Sequence, residues 1–410
     1  MTTRTPPTGT TPTPTPTSRT RASGEQALAR CVEPLDAAEF LADYWEQQPL
    51  AVPRSEPGRF DDLISVADVE RLVSSGTLRY PAFRLVKEGG QVGLSEYSTD
   101  LPWRPHAFTG SADPDRVATA FEDGATIVLQ GLHLNWTPLA RFCRGLEAEL
   151  GHPAQANAYY TPRRSQGFAV HHDTHDVFVL QVAGEKKWRI YDPLLELPLK
   201  QQRYSKTLGE HGQPVLELTL RAGDTLYLPR GWLHDALTSE TDSLHVTVGI
   251  NLHTWVDAVR AALDECEHDV EFRRSVPEDG EMSADLLDRL AAKLEPDDVA
   301  RRAREKLVRS RRPILDGQLE EVRTLGSLGA HTPLERRPTV IADLEGTTLS
   351  FEGKQVTVPE HARAELEAIF EADGPFTAVE LPGELDDESR LVLVRRLIRE
   401  GFVRRSAAGA

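Results

Sequence analysis

Four residues in this chain have the types and spacing to hold a metal: His171, His172 and Asp173 in a row, and His234 much later. A His-x-Asp pair followed by a distant His is the pattern of a 2-His-1-carboxylate facial triad. Such a triad holds Fe(II) on one face and leaves the opposite positions open. On an extended chain, residues i and i+2 point the same way. His171 and Asp173 can therefore reach one ion while His172 points away. The third ligand must come from an adjacent strand. His234 qualifies because the apolar stretch Asp224–Pro229 reads as a strand, and Pro229-Arg230-Gly231 turns the chain ahead of it. His245 is a rival; it shares a strand face with Thr247 and Gly249 and reads as lining the interior. A helical zinc site from His171 and His175 fails on context, since the segment continues as a strand and lacks the HExxH glutamate.

An Fe(II) facial triad needs a reductant for O2. A dicarboxylic 2-oxo acid can chelate the open metal positions, and its far carboxylate then needs a buried cation and hydroxyl donors. The chain has only eight lysines, two of them adjacent at Lys186 and Lys187. On a strand they face opposite sides, so one enters the interior and one meets solvent. Asn157, Tyr159 and Thr161 alternate on one face and can supply polar contacts.

These residues need elements to position them. From about 118 to 255 the chain reads as short strands with Gly or Pro between them: 125–132, 156–161, 176–182, 186–192, 224–229 and 243–252. One helix, Pro138 to Leu150, interrupts them. Such spacing suggests a barrel or jelly roll. Upstream, Phe40, Leu41, Tyr44 and Trp45 have helical spacing, and residues 78–86 read as a strand. Residues 256 to about 325 are charged and helical in pattern, with an apolar stripe at Leu286, Leu287, Leu290 and Leu294 that must bury against the barrel or a second subunit. Beyond Pro338, a helix at 361–370 and a last helix capped by Asp386 or Asp387 and stopped by Gly401 fit a small winged-helix-like domain.

Composition narrows the class. The 410 residues are 39% hydrophobic and 27% charged, as expected of a water-soluble chain of two or three domains. No apolar run approaches the roughly 18 residues that span a bilayer, and no secretory signal is visible. Residues 1–26 are Thr/Pro-rich and should be disordered. Cys31, Cys143 and Cys266 form no CxxC pair, so a reducing cytoplasm is expected. A net charge of −17 argues against general nucleic-acid binding and suits a basic partner.

The run Asn157-Ala158-Tyr159-Tyr160-Thr161-Pro162, then Ser165 to Ala169, then HHDTHDVFVLQVAGEKKWRIYDP, closely resembles the JmjC-type cupin oxygenases known as ribosomal oxygenases. The stretch from Gly223 to His234 is similar to their second signature. The resemblance implies a mainly β catalytic core of double-stranded β-helix (cupin/JmjC) fold at 27–255, a helical dimerisation domain at 256–330 and a C-terminal winged helix at 331–410. It implies Fe(II), 2-oxoglutarate and O2, and a homodimer that hydroxylates a histidine or arginine side chain of a basic ribosomal protein. Position by position it makes His171, Asp173 and His234 the iron ligands and Lys186 the partner of the distal 2-oxoglutarate carboxylate. Asn157 and Tyr159 fall at cosubstrate positions. The family's serine on the last core strand is Gly249 here, so one hydrogen bond is lost or supplied by Thr247. Acid ahead of the last helix makes a docking or structural role for the winged helix more apt than nucleic-acid binding. Two alternatives use other substrates or none: a 2-oxoglutarate oxygenase acting on another protein, peptide or small molecule, and a non-catalytic cupin-plus-winged-helix binding protein.

Overall fold

The computed structural model describes residues 26–54, 56–75, 78–102 and 104–406. The Thr/Pro-rich tail therefore lies outside the described residues, apart from Gln26. The chain forms two compact units, one ending at Ile314 and the other beginning at Leu315. Among the described residues, no helix is long and apolar enough to cross a membrane.

In the first unit, helices α1 (Ala27–Val32) and α2 (Ala37–Asp43) precede strand β1 (Leu50–Val52), and helix α3 (Val66–Ser74) precedes strands β2 (Phe83–Lys87) and β3 (Gly90–Gln91). Helix α4 (Leu94–Tyr97), the antiparallel pair β4 (Ser98–Leu101) and β5 (Phe108–Ala112), and helix α5 (Pro114–Glu122) come next. Strand β6 (Thr126–Leu129) and helix α6 (Thr137–Leu150) lead to β7 (Ala154–Thr161), β8 (Asp176–Tyr191), β9 (Leu216–Arg221), β10 (Thr225–Leu228), β11 (Leu233–Leu237) and β12 (Ser243–Ile250). The unit closes with helices α7 (Trp255–Cys266), α8 (Ala284–Ala292) and α9 (Pro296–Ser310).

The main antiparallel sheet runs β1-β10-β8-β12-β7-β6-β2-β3. Strands β9 and β11 pair with the far half of β8 and form a second sheet. Alternation along the strands separates two cores. Phe178, Leu180, Val246, Val248, Ala156 and Ala158 face outward onto helix residues such as Phe40, Val69, Phe142 and Leu146. Val177, Val179, Trp188, Ile190, Leu226 and Leu228 face inward between the sheets. Helix α6 buries Leu139, Phe142, Cys143 and Leu146, spaced three and four apart, and ends at Gly151 in the left-handed conformation (φ 73°).

Two strands differ from the sequence expectation. Residues 176–182 and 186–192 form one strand, β8, rather than two. Gly184 takes φ +64° in mid-strand, and the register with β12 shifts between Leu244 and His245. This bulge bends the strand from one sheet into the other without breaking it. The strand expected over 78–86 begins only at Phe83, because Pro81 has no amide to give a ladder.

The second unit holds helix α10 (Gln318–Arg323), strand β13 (Leu334–Arg336), a meander of β14 (Ala342–Glu345), β15 (Thr348–Phe351) and β16 (Lys354–Thr357), helices α11 (Arg363–Glu371) and α12 (Asp387–Glu400), and strand β17 (Val403–Arg405), which pairs with β13. Asp386 caps α12 by accepting from the Ser389 amide at 2.8 Å, and Gly401 ends it at φ +90°. Its core gathers Phe351, Leu366, Ile369, Val394, Leu397 and Phe402.

The bend at Gly184 is testable. A Cβ there would stand 1.9 Å from the Asp242 carbonyl oxygen. The left-handed conformation alone costs an L-residue roughly 1–2 kcal/mol, and the clash adds to it. Gly184→Ala is therefore expected to lower stability by more than about 2 kcal/mol in urea titration; an unchanged midpoint would show that the bend lies elsewhere.

Candidate metal site and its pocket

His171 and His234 face each other across an isolated antiparallel bridge. The His234 amide donates to the His171 carbonyl at 2.8 Å, and the reverse bond is 3.2 Å. One step further, the Gly231 amide donates to the Asp173 carbonyl at 3.1 Å. The segment before β8 is thus zipped to the turn before β11. Gly231 has φ +90°, and a Cβ there would stand 2.5 Å from the Leu195 carbonyl oxygen, so this turn requires glycine.

The zipper gathers three donors. Ligand atoms of His171, Asp173 and His234 all lie within 4.8 Å of one another. Asp173 Oδ2 is 3.8 Å from His234 Nε2, and the two imidazole rings are 4.5 Å apart. Each imidazole turns Nδ1 to a backbone carbonyl: His171 to Ala169 at 2.8 Å, His234 to Trp232 at 3.1 Å. A carbonyl only accepts, so Nδ1 carries a proton in each ring, and Nε2 is the atom turned toward the other donors. Burial and the adjacent His171 push His234 down to about 4, so it is neutral. Burial pushes the Asp173 carboxyl up, but the surrounding imidazoles, His175 foremost, outweigh it and hold it below the ordinary range. Imidazole nitrogens and a carboxylate oxygen are the donor types that such a cation takes. His172 points elsewhere: its Nε2 lies 3.1 Å from the Gln202 carbonyl oxygen, and its ring meets Tyr204.

The inner faces of β7 and β12 meet in register, Tyr159 opposite His245 and Asn157 opposite Thr247. The Tyr159 ring lies parallel to His245 at 5.0 Å, and its hydroxyl hydrogen-bonds with Thr247 and Asn157. Asn157 also accepts from the Gly131 amide at 2.9 Å. His245 stays out of the three-donor group and lines the interior, edge-on to Trp188.

Of the two adjacent lysines, Lys186 is the buried one, at 4% exposure. Its Nζ donates to the Thr161 hydroxyl at 2.9 Å, which also accepts from Thr126 at 3.1 Å. Among the described residues no carboxylate pairs with it, and burial pushes its ammonium down to about 7. Lys187 faces outward and pairs with Glu217 at 2.6 Å. Trp188 Nε1 and His245 Nδ1 are also buried without a hydrogen-bond partner among the described residues.

Several contributors were not foreseen. Phe168 packs against both Tyr159 and His171, with the Arg84 guanidinium 5.3 Å over its ring. Behind His234, the Asp235 carboxylate is held by Arg189 and Tyr191 of β8 and by Gln166, which anchors β11. Trp188 and Arg189 were legible only as strand residues, since their roles depend on which side of β8 faces inward.

Facing antiparallel sheets with a His-Asp-His donor set at their junction define a cupin-like metal site. Residues 132–258 match the JmjC domain family. It is similar to "Ribosomal oxygenase 1" of Gallus gallus, 34% identical over 257 residues, covering 60% of this chain and 41% of the relative. It is 33% identical over 226 residues to "Bifunctional lysine-specific demethylase and histidyl-hydroxylase NO66" of Drosophila persimilis, covering 55% of this chain and 31% of that one. The chain thus spans less than half the length of these curated relatives. Among solved structures, the Escherichia coli ribosomal oxygenase YcfD superposes with a TM-score of 0.55 at 19% identity, covering 91% of this chain and 98% of that one. The same protein in complex with cobalt and 2-oxoglutarate gives a TM-score of 0.54 at 18% identity, over 90% and 98% of the two chains.

The buried lysine carries a stability signature. Its folded pKa of about 7 lies below the 10.5 of a free lysine. Below pH 7 the ammonium is charged in both states and the burial penalty is complete. Between pH 7 and 10.5 the unfolded chain binds the extra proton, so stability rises with pH. Lys186→Met is expected to stabilise the ligand-free protein at pH 6, with the advantage shrinking by about 1.4 kcal/mol per pH unit across that window. Paired urea titrations at pH 6, 8 and 9 measure it; a constant difference would mean the ammonium is not desolvated.

Proposed function

We propose that this protein is an Fe(II)- and 2-oxoglutarate-dependent oxygenase that hydroxylates a histidine or arginine side chain of a ribosomal protein. The observation that carries the reading is the pairing of a three-donor metal cluster with a buried lysine that has no carboxylate partner among the described residues, both on the inner faces of the two sheets. The donor set fits Fe(II): two imidazoles with free Nε2 atoms and one carboxylate, as a facial triad requires. We assign His171, Asp173 and His234 as the metal ligands. Lys186 takes the distal carboxylate of 2-oxoglutarate, with Asn157, Tyr159 and Thr247 as the polar wall. When bound, Fe(II) and 2-oxoglutarate supply the O2 activation that C–H hydroxylation needs.

The chain's own residues bind, orient and exclude water. Lys186 gains its proton fully once a carboxylate sits beside it, because an opposite charge restores the charged form that burial disfavours. The Tyr159–His245 stack and Trp188 form an aromatic wall beside the polar groups. The backbone carbonyls of Ala169 and Trp232 fix the two imidazoles and keep their lone pairs aimed inward. The names of the relatives support a ribosomal substrate, and a −17 chain attracts the basic surface of such a protein.

The domain reading is 27–255 catalytic, 256–330 helical dimerisation and 331–410 winged helix. Helix α7 supports the middle assignment: Trp255, at 71% exposure, and Val256, Val259 and Leu263 leave an apolar face open to solvent. A stripe this large marks an interface, and a second copy is the occupant we assign. Cys31, Cys143 and Cys266 are free and buried, which suits a reducing cytoplasm.

Two experiments test these readings. Anaerobic loading with Fe(II) and 2-oxoglutarate, followed by O2 and ribosomal proteins of the same organism, is expected to add one oxygen atom to a single ribosomal protein by mass spectrometry, and not with His171→Ala. Succinate without that mass gain would keep the oxygenase and remove the ribosomal substrate. Neither product, with iron bound, would leave a binding protein. In light scattering the wild-type protein is expected to be a dimer and the double variant Trp255→Asp, Leu263→Asp a monomer with unchanged helicity; a monomeric wild type would refute the dimerisation role.

A further inference from the structure

His175 stands two residues beyond Asp173, where the chain enters β8. Its ring covers Gly249 of β12. A Cβ built on Gly249 would lie 3.0, 3.1 and 3.2 Å from Cε1, Nε2 and Nδ1 of His175. Three ring atoms at nearly equal distance mean that the imidazole occupies the space a side chain at 249 would need. Gly249 has no left-handed φ, so its backbone does not call for glycine. The ring above it does, as glycine in a strand interior marks a close approach.

Gly249 lies on the inner face of β12, in line with Thr247 and His245. His175 therefore borders the same pocket wall as Tyr159 and Thr247. It borders it at the Asp173 end, whereas Lys186 sits against Thr161. The chain beside it is held firmly. Asp176 is completely buried and accepts from the Tyr227 hydroxyl and from the Arg230 amide at 3.1 Å. Yet His175 Nδ1 is buried without a hydrogen-bond partner among the described residues. A buried polar nitrogen without a partner, on a pinned backbone inside a polar pocket, marks a place that a ligand completes.

We propose that His175 is a further cosubstrate-binding residue, whose imidazole hydrogen-bonds the metal-proximal end of the bound 2-oxo acid in the space that a side chain at position 249 would otherwise fill. The proposal rests on the 2-oxoglutarate reading of the site. It makes positions 175 and 249 one unit, in which either an imidazole over a glycine or a hydroxyl at 249 beside a small residue can serve.

The test is 2-oxoglutarate titration by calorimetry, without O2, of the full chain loaded with Co(II), for wild type, His175→Ala, Gly249→Ser and the double variant. Metal affinity and thermal midpoint are measured alongside. His175→Ala is expected to raise the 2-oxoglutarate Kd about tenfold or more, as for a lost hydrogen bond to a charged group, with Co(II) affinity unchanged. Gly249→Ser alone should also weaken binding, because hydroxyl and ring compete for one space. The double variant should regain most of the loss. If His175→Ala does not fold, His175→Phe, which keeps a ring over Gly249 and has no ring nitrogen, carries the same comparison. Wild-type affinity in His175→Ala would overturn the proposal alone, as would loss of Co(II) together with 2-oxoglutarate. A wild-type protein that binds Co(II) but no 2-oxoglutarate would overturn this proposal and the oxygenase reading together.

Discussion

One strand belongs to two sheets, and the site depends on that. Strand β8 has 16 residues and would span about 50 Å if straight, far too long for one wall of a pocket between sheets packed about 10 Å apart. The left-handed Gly184 and the register shift opposite it turn the strand. Its first half then sets the register of β10 and β12, and its second half that of β9 and β11. Asp173 lies just ahead of the first half, and His234 pairs across from Ile190 of the second. Residues distant in sequence are therefore placed by one continuous ladder. A slip of one residue beyond the bend would turn Lys186 outward and Lys187 inward.

The pocket is polar in a particular sense. The groups around it are donors or donor-capable: the Lys186 ammonium, bonded to Thr161 alone among the described residues, and the unpartnered Trp188 indole N–H, His245 Nδ1 and His175 Nδ1. Among the described residues no carboxylate neutralises the lysine, and burial pushes its pKa down to about 7. Such an arrangement is costly while empty and is relieved by an anion, which brings acceptors and negative charge at once. Other polar groups around it are paired: Thr161 with Lys186 and Thr126, Asp235 with Arg189, Tyr191 and Gln166.

The legible parts of this design are those with local periodicity. His171 and Asp173 two apart on extended chain, and a strand and turn ahead of His234, follow from spacing alone. Strand β11 was hidden because it is five residues long and opens directly after the turn. The unity of β8 was hidden because Ala183-Gly184-Glu185 has the composition of a turn; Gly184 does have turn-like dihedrals, but β8 bulges by one residue at Val182 against β12 and the ladder survives. Which of Lys186 and Lys187 faces inward depends on that bulge, so alternation could say only that they differ. The setting of His175 was not legible, since its signal lay 74 positions away, in a glycine whose dihedrals do not require one. Helices α7 to α9 were legible as amphipathic, but what covers an apolar face is not written in its period.

Charge is distributed against itself in this chain, and the proposed reaction explains why. A net charge of −17 creates a field that repels a dicarboxylate and attracts a basic protein. In the proposed reaction the dicarboxylate is nonetheless the molecule that goes deepest. Surface charges act through water and salt and fade within about 10 Å at ordinary ionic strength. Lys186, enclosed among Thr161, Trp188 and His245, acts where screening is weak and a single cation outweighs many distant acids. The acidic exterior and the basic interior therefore select different molecules by different physics. In the proposed reaction, the exterior field favours the approach of a basic protein. The short-range site favours an anion, because among the described residues no carboxylate pairs with its lysine.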